Sequence, residues 1–403
     1  ITRKISTFLV LAFVPSSENY LHAVMPVTLY YYTGWQQCQV HGCPKGESTW
    51  RDIPFKDVSG KPFVKQLQVE ADGLEFVVCD MQKQHWDNPP DWYGKKNYLI
   101  AEDGKYSLRN GHLRRIRQSR VLVVTDLDHT LIGHERDPEN KLLEDFKTTW
   151  LGEYALNGSA LAYSTGRNKS MALDVAKERC LPRPELMICG VGTEVYAIPQ
   201  TLPLFDWWEA GATLELMPEW KTKVLDGFDR KYVEDILIAG FPKFEVRGTP
   251  EDDPYRIPTA YQMDESFDAG KKTLQETLGE RYQVISSGHG EWKLIDICSA
   301  EAGKGKALEF ARRELKFEAG ETLACGDSGN DELMFRVDGG KGVMVANSLP
   351  ELVEAMTSHA LENGDGVELV QGKTFKTRHG STMLFSSREV SAGIVEALLH
   401  FWP

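Results

Sequence analysis

Three short apolar runs constrain the fold of this chain more than any other feature, because a polar loop follows each one directly. They cover residues 121–125, 159–163 and 322–325. Apolar runs of this length are typical of strands that are buried on both faces of a parallel sheet. Amphipathic stretches at 169–179 and 305–315 predict helices between these strands. Strands that alternate with helices predict a doubly wound α/β domain.

Changes in composition divide the rest of the chain. Residues 25–116 are rich in aromatic residues and turn signals, and short alternating runs predict a small all-β sandwich there. We expect the basic stretch 114–120 to be a solvated linker. The α/β pattern covers 117–196 and 299–403. Residues 197–298 have a mixed pattern, with an amphipathic stretch at 221–238 and a strand-like run at 243–247, which predicts an inserted α+β cap domain.

Residues 1–24 form a leader or the remnant of a targeting segment in this interpretation. Their apolar run at 5–14 follows Arg3 and Lys4 and stops at Pro15, as in the apolar region of a targeting signal. A merely apolar tail is the alternative. Since the chain begins at Ile1, we expect the natural N-terminus to lie upstream. The run is shorter than the roughly 18 residues of a membrane-spanning helix, so we predict no membrane span.

The charge balance excludes one class of partner. The 403 residues include 46 Lys and Arg against 59 Asp and Glu, which gives a formal net charge of −13. An acidic surface repels phosphate backbones, so we predict no nucleic-acid partner. The seven cysteines lack CxxC or zinc-site spacing and are interpreted as reduced thiols of an intracellular protein.

Polar side chains follow two of the predicted strands. Asp126 and Asp128 come directly after the first strand, and Thr165, Gly166 and Arg167 after the second. The carboxyl ends of parallel strands converge on one crevice, so these groups are expected to meet there. Two carboxylates at that position need a cation or hydrogen bonds, whereas a hydroxyl and backbone N–H groups suit an anion. Ordinary turn or cap chemistry is the alternative for each motif.

Two later motifs complete the set. Lys304 lies at the start of a predicted helix, where the helix dipole does not favour a cation, so a phosphate partner would explain it. Asp327, Asn330 and Asp331 follow the third strand in a loop made tight by glycines. An exposed basic turn and an Asx-rich turn are the alternatives.

The motifs follow one another in the order DxDxT, strand-end hydroxyl, lysine and GDxxND. This order resembles that of the haloacid dehalogenase superfamily, whose core is Rossmann-like. The resemblance implies that Asp126 is the nucleophile that accepts the phosphoryl group. It implies that Asp128 protonates the leaving oxygen and then activates water. Thr165 and Lys304 would hold the phosphoryl oxygens. The implied Mg²⁺ ligands are Asp126, the backbone carbonyl of Asp128, Asp327 and Asp331.

Over about residues 121–403 the chain resembles the sucrose-phosphate phosphatases. The resemblance rests on the blocks at 125–130, 163–168, 190–196, 285–297 and 386–401. It implies hydrolysis of a sugar phosphate similar to sucrose 6-phosphate, with Gly166, Arg167, Asn330 and Arg256 as substrate contacts. Arg256 stands where that family usually has lysine, and the two are not interchangeable at a positioned contact. The departure therefore bears on which sugar phosphate is bound.

Residues 25–116 resemble the starch-binding carbohydrate-binding modules of families 25 and 53. The resemblance implies that His41, Trp50, Trp86 and Asn88 bind starch or a related α-glucan. Aromatic rings offer rigid apolar faces for sugars. The alternative for Trp50 and Trp86 is packing in the sandwich core, which we favour for Trp35. A starch partner implies a plastid location, such as the chloroplast, with the cytoplasm as the alternative.

Two rival hypotheses remain open at this point. One is a non-catalytic, glucan-binding regulatory protein that retains a phosphatase fold. The other is an active phosphatase for a different sugar phosphate, or for phosphate on glucan itself.

Overall fold

The computed structural model describes residues 26–225, 228–288, 290–361 and 368–403. The apolar run predicted as a targeting segment, at 5–14, lies outside these ranges. Within them, we find no helix with the length and apolarity that a membrane crossing requires.

Two β-sheets form the N-terminal part of the described chain. Their strands are β1 Val27–Tyr32, β2 Cys38–Pro44, β3 Arg51–Pro54, β4 Lys56–Val58, β5 Lys61–Val69, β6 Leu74–Asp80, β7 Trp86–Asp87, β8 Tyr98–Ile100, β9 Gly104–Arg109 and β10 His112–Arg115. One sheet has the order β10-β9-β1-β5-β4, and the other the order β3-β2-β6-β7, with β8 also paired to β6. Leu29 and Leu67 of the first sheet share one core with Val40 and Phe76 of the second. The two sheets therefore pack face to face, and we refer to them as the front module.

The α/β core follows, and its chain is interrupted by a second α+β unit. Before the interruption come β11 Leu122–Thr125, α1 Lys141–Thr149, β12 Ala160–Ser164, α2 Lys169–Glu178, β13 Leu186–Cys189 and β14 Glu194–Ala197. The next helix, α3 Pro218–Leu225, lies within the stretch expected to form the cap, but its Trp220 packs in the core cluster of Leu122 and Leu308. The inserted unit, the cap, comprises α4 Arg230–Gly240, β15 Glu245–Val246, β16 Arg256–Gln262, α5 Phe267–Leu278, β17 Tyr282–Ser287 and β18 Trp292–Ser299. The core resumes with α6 Lys304–Glu314, β19 Thr322–Gly326, β20 Lys341–Met344, α7 Pro350–His359, β21 Lys373–Lys376, β22 Thr382–Phe385 and α8 Val390–Phe401.

The core sheet has the order β14-β13-β12-β11-β19-β20-β22-β21. Its strands are parallel except β14 and β21, which pair antiparallel at the two edges. The chain moves from β11 toward β13 and later from β19 toward β22, so the direction of winding reverses between β11 and β19. In such folds this switch point is where ligands bind, outside the carboxyl ends of the strands.

Alternate residues of β11 explain why the sheet is covered on both sides. Val123 packs in a core cluster with Leu143 of α1, whereas Leu122 and Val124 pack in a second cluster with Leu308 of α6. Successive strand residues point to opposite faces, so a continuous apolar strand requires helices on both faces.

The cap sheet is antiparallel, with the order β15-β16-β18-β17. The amphipathic stretch expected at 221–238 is not one helix: α3 ends at Leu225, and α4 begins at Arg230 after Asp229, whose side chain caps it by accepting a hydrogen bond from Tyr232 N. The strand-like run expected at 243–247 pairs only over Glu245–Val246.

The basic stretch at 114–120, expected to be a solvated linker, is solvated only in part: residues 114, 115, 118 and 119 are exposed, whereas Arg117 and Arg120 are paired with the core. Arg117 Nε donates to Glu153 Oε2 at 2.8 Å. Arg120 donates to both carboxylate oxygens of Glu321, at 3.0 and 2.9 Å, and lies over the ring of Phe317. Carboxylates of the core meet these guanidinium groups, which fixes the connection between the front module and the core.

Candidate active site

Three carboxylates meet at the switch point of the core sheet. Asp126 follows β11 directly, and its N–H still bonds to the carbonyl oxygen of Cys325 on the neighbouring strand at 3.0 Å. Asp327 and Asp331 lie in the loop after β19. The three side chains each offer an oxygen within 4.8 Å of the others, and all three residues are buried.

The loop after β19 is shaped around Asp331. Asp331 Oδ2 accepts hydrogen bonds from the backbone N–H groups of Asp327 and Ser328, at 3.0 and 3.1 Å. A Cβ atom at Gly326 would lie 2.4 Å from the Cβ of Asp331, so the loop can close only over a glycine. Thr130 Oγ1 donates to Asp327 Oδ1 at 2.8 Å, which ties the two acidic loops together.

Lys304 supplies a buried positive charge to this cluster. It begins α6, and its Nζ lies 2.6 Å from Asp126 Oδ1 and 2.7 Å from Asp331 Oδ1. Burial disfavours the charged form, but the two carboxylates outweigh it and raise the pKa of Lys304. Neither partner lies close to Lys304 in the sequence, since Asp126 is 178 residues away and Asp331 is 27.

One ammonium group does not balance three carboxylates. Burial raises the pKa of Asp126 to about 7 even though the charge of Lys304 opposes the shift. Burial and the neighbouring carboxylates of Asp126 and Asp331 raise the pKa of Asp327 well above its usual range. The cluster is therefore short of positive charge. Hard carboxylate oxygens are the ligands that Mg²⁺ prefers, so the residues present fit a small divalent cation.

Asp128 lies apart from this cluster and is held by two other side chains. Arg167 donates to both of its oxygens, at 2.7 and 2.8 Å, and His134 Nε2 lies 2.7 Å from Oδ1. Burial favours the neutral acid, but the hydrogen bonds and charges of Arg167 and His134 lower the pKa of Asp128. Sequence analysis missed His134, which has no motif of its own and reaches Asp128 from a left-handed backbone conformation with φ 48°.

The predicted anion-binding loop lies beside these acids. Thr165 is fully buried, and its Oγ1 accepts a hydrogen bond from Arg167 N at 3.1 Å. Gly166 and Arg167 line a cleft of about 650 Å³ together with Asp126, Asp128 and Asn330. The structure thus brings the sequence-predicted core residues to one place.

The cap forms the opposite wall of this cleft. Arg256, expected to bind substrate, lines the cleft but is 6% exposed. Its Nε donates to Asp253 Oδ1 at 2.7 Å and its Nη1 to Asp296 Oδ1 at 2.9 Å. Two of its donors are therefore engaged within the cap, and sequence analysis identified neither aspartate.

A separate aromatic cluster lies on the front module. The ring of His41 lies 5.4 Å from the ring of Trp50 and 6.1 Å from that of Trp86, which is 41% exposed. Asp52 Oδ1 lies 2.7 Å from His41 Nδ1 and orients the imidazole. Asn88 is exposed nearby in sequence, and its carbonyl oxygen accepts from Tyr98 at 3.2 Å. Trp35, expected in the core, is partly buried against Tyr31.

The core and the cap are similar to known proteins. The model of a family described as "Sucrose-6F-phosphate phosphohydrolase" matches residues 119–402, so the front module lies outside the match. Sucrose-phosphatase 1 of Nicotiana tabacum is 32% identical over 289 residues, which are 70% of this chain and 59% of the tobacco protein. The chain thus spans less than two thirds of that relative.

The matches to a bacterial relative and to a solved structure cover a larger share of those proteins. Mannosylfructose-phosphate phosphatase of Agrobacterium fabrum is 27% identical over a match that covers 58% of this chain and 85% of the bacterial protein. The sucrose-phosphatase of Synechocystis sp. PCC6803, solved in complex with sucrose and phosphate, is 26% identical with a TM-score of 0.54, over 70% of this chain and 98% of its own. Together with the match of the family model, these likenesses show that the chain belongs to the sucrose-phosphatase family of the haloacid dehalogenase superfamily.

Proposed function

We propose that the protein is a phosphatase that hydrolyses a sugar phosphate similar to sucrose 6-phosphate through an aspartyl-phosphate intermediate. The observation that carries the proposal is the placement of Asp126. Its carboxylate opens on the cleft and its Oδ1 lies 2.6 Å from Lys304 Nζ. A carboxylate that attacks a phosphate dianion must overcome charge repulsion, and a buried ammonium group beside it lowers that cost.

The side chains divide the reaction between them. Asp126 attacks phosphorus and forms a P–O bond, while the bond from phosphorus to the sugar oxygen breaks. Asp128 gives its proton to that oxygen. It afterwards takes a proton from a water molecule whose oxygen bonds to phosphorus while the bond between Asp126 and phosphorus breaks, which releases phosphate and restores the Asp126 carboxylate. Thr165 and Lys304 hold the phosphoryl oxygens. Splitting the hydrolysis into two displacements is ordinary covalent catalysis.

Arg167 links substrate binding to the protonation of Asp128 in this scheme. Its guanidinium group bonds to Asp128 and favours the carboxylate, which suits a base. An incoming phosphate competes for the same guanidinium, because arginine donors match phosphate oxygens well. Release of Asp128 from Arg167 lets it take up the proton that the leaving oxygen needs.

Asp126, Asp327 and Asp331, with the carbonyl oxygen of Asp128, would hold Mg²⁺. Bound there, the ion supplies the positive charge that the cluster lacks and stabilises charge on the phosphoryl oxygens.

Phosphate release from a panel of sugar phosphates, with and without Mg²⁺, tests this function. Asp126→Asn should lower turnover by a factor on the order of 10³ or more, because an amide is a poor nucleophile. Asp145→Asn, at an exposed aspartate of α1, is the matched control and should keep activity. If the unaltered protein releases phosphate from no ester, the non-catalytic alternative is favoured.

A different disaccharide phosphate is the second candidate substrate. The match to a mannosylfructose-phosphate phosphatase, which covers 85% of that protein, supports it. The same panel decides between the two, since the ester with the highest kcat/KM identifies the preferred leaving group.

We also propose that the front module binds starch or a related α-glucan, through His41, Trp50, Trp86 and Asn88. The aromatic cluster supports this, since the exposed ring of Trp86 and the partly buried rings of His41 and Trp50 have faces that suit the C–H faces of glucose units. Phosphate on glucan itself is then a further candidate substrate, because a polymer-bound enzyme meets it at high local concentration. Starch binding implies a plastid location, with the cytoplasm as the alternative.

A further inference from the structure

The carboxylate of Asp128 is held by two side chains that bond to its oxygens unequally. Arg167 Nε donates to Oδ2 at 2.7 Å, and Arg167 Nη2 donates to Oδ1 at 2.8 Å. His134 Nε2 lies 2.7 Å from Oδ1. A carboxylate only accepts hydrogen bonds, so this contact places the imidazole proton on Nε2. Among the described residues, Oδ1 therefore has two donor side chains, whereas Oδ2 has Arg167 alone.

The two donors differ in their access to a bound phosphate. Arg167 lines the cleft together with Asp128, whereas His134 does not belong to the lining formed by the described residues. A phosphate in the cleft can therefore compete for the guanidinium group of Arg167, whose donors match its oxygens. The imidazole stays on Asp128 while this happens, because the phosphate does not reach it.

The backbone before α1 is shaped to bring His134 to this position. Ile132 N donates to the carbonyl oxygen of Leu127 at 2.8 Å, which closes a tight loop. A Cβ atom at Gly133 would lie 2.4 Å from the Cβ of Asp137, so the chain can turn there only over a glycine. His134 then has φ 48°, in the left-handed region. Backbone strain of this kind persists where the surrounding structure imposes it, and it is concentrated at functional sites.

The hydrogen bond from His134 suits both forms of Asp128 that the reaction needs. Oδ1 accepts from Nε2–H when the group is a carboxylate. It still accepts when the group is a neutral acid with its proton on Oδ2, because Oδ1 is then the carbonyl oxygen. Oδ2 loses its donor when Arg167 binds phosphate, so Oδ2 is the oxygen that becomes free to carry the proton.

We propose that His134 is a positioning residue, which holds Oδ1 of Asp128 while Arg167 binds phosphate and so directs Oδ2 at the leaving oxygen. This inference rests on the proposed phosphatase function and adds a residue to it. In the first step the proton on Oδ2 passes to the sugar oxygen, while the bond from that oxygen to phosphorus breaks. In the second step Oδ2 takes a proton from the attacking water, and this proton serves the next turnover. His134 keeps its own proton throughout.

A comparison of leaving groups tests the positioning role. A sugar oxygen needs a proton when it leaves, whereas p-nitrophenolate leaves without one, and kcat/KM covers the steps up to this departure. His134→Ala should lower kcat/KM for the preferred sugar phosphate on the order of 30-fold, which is part of the roughly 10²–10⁴-fold that acid catalysis contributes. For p-nitrophenyl phosphate the same variant should lose less than about twofold, because no proton transfer is needed.

Two further variants separate the hydrogen bond from the fold. His134→Gln keeps an N–H donor at a similar distance from the backbone and should restore most of the loss on the sugar phosphate. His400→Ala, at an exposed histidine of α8, is the matched control and should change neither kcat/KM value.

Three results would overturn the positioning role. An equal loss on both esters would show that His134 only supports the fold around the cleft. An unchanged kcat/KM on the sugar phosphate would show that Asp128 is held without it. Failure of His134→Gln to restore activity would exclude the donated hydrogen bond as the cause. All three differ from failure of the proposed function, in which the unaltered protein hydrolyses neither ester.

Discussion

Arg256 shows how one residue can serve both a binding cleft and the stability of the domain around it. Its guanidinium group bridges Asp253 and Asp296, which are both almost fully buried. Burial raises the pKa of Asp296, and the charge of Arg256 opposes that shift. A planar guanidinium can serve two carboxylates at once, whereas the single ammonium group of lysine is a point charge. A lysine at this position would therefore serve the two buried aspartates less well than Arg256 does.

We predict that Arg256→Ala destabilises the cap. The change leaves two buried aspartates without their cation, and breaking such a pair costs about 3–5 kcal/mol of unfolding free energy. Arg256→Lys should cost less, because it retains one charge. Urea denaturation followed by fluorescence measures the effect. Arg281→Ala, at an exposed arginine of the cap, is the control. Equal stability of the Arg256→Ala and Arg281→Ala proteins would contradict the prediction.

At the scale of elements, a contact between α7 and β18 joins the cap to the acidic loop. Glu351, in the first turn of α7, accepts a hydrogen bond from Gly329 N at 3.1 Å through one oxygen. Its other oxygen pairs with Lys293 of β18, which also donates to the carbonyl oxygen of Gly288. The same carboxylate thus contacts the loop that holds Asp327 and Asp331 and the strand that forms the cap wall.

We expect Lys293→Met to weaken the closed arrangement of cap and core. A smaller fraction of the protein would then be competent to bind substrate, and KM should rise on the order of fivefold, with a smaller change in kcat. Glu351→Gln should behave similarly, since the amide still accepts from Gly329 N but loses its charge. Steady-state kinetics on the preferred ester separate KM from kcat. Lys272→Met, at an exposed lysine of α5, is the control, and an unchanged KM for Lys293→Met would refute the idea.

The elements also show how far the sequence could lead. Strand β11 and helix α6 were predicted within a residue or two, because an apolar run and an amphipathic period are local signals. Asp126, which follows β11, and Lys304, which begins α6, could therefore be identified as candidate site residues. His134 and Asp296 could not be identified, because no motif marks the turn that brings His134 back to Asp128, and Asp296 lies 40 residues from Arg256 on the neighbouring strand. The break between α3 and α4 was missed because the apolar spacing continues across it.

At the scale of the whole molecule, the front module is attached to the core by buried contacts. Tyr32 donates to the carbonyl oxygen of Leu151 at 2.8 Å, and Ser107 to that of Gly152 at 2.6 Å. Both acceptors belong to the π-helical segment Trp150–Tyr154, which is buried throughout. A π-helix pairs residues five apart, and here Ala155 N bonds to Trp150 O at 2.8 Å. The module and the core therefore share an interface as well as a chain connection.

Retention on starch tests the role of the module in the intact protein. We predict that Trp50→Ala combined with Trp86→Ala strongly reduces the fraction of protein that sediments with starch granules, because the sugar-facing rings are lost. Phosphatase activity in solution should persist, since the module's rings lie outside the cleft. Phe63→Ala, equally exposed at 41% but on the other sheet, is the control. Unchanged sedimentation of the double variant would remove the proposed glucan site.

The packing of the front module against the π-helical segment would affect how the protein is oriented when it is bound to a glucan surface. A binding domain on a flexible linker reorients freely, so a catalytic domain attached to it would point in every direction. Here the hydrogen bonds of Tyr32 and Ser107 couple the two parts, and a molecule held through its front module would carry the opening of its cleft at one fixed angle to the polymer. On a granule coated with such molecules, the openings of the clefts would all have the same orientation relative to the glucan. The polarisation of the tryptophan fluorescence would report that alignment.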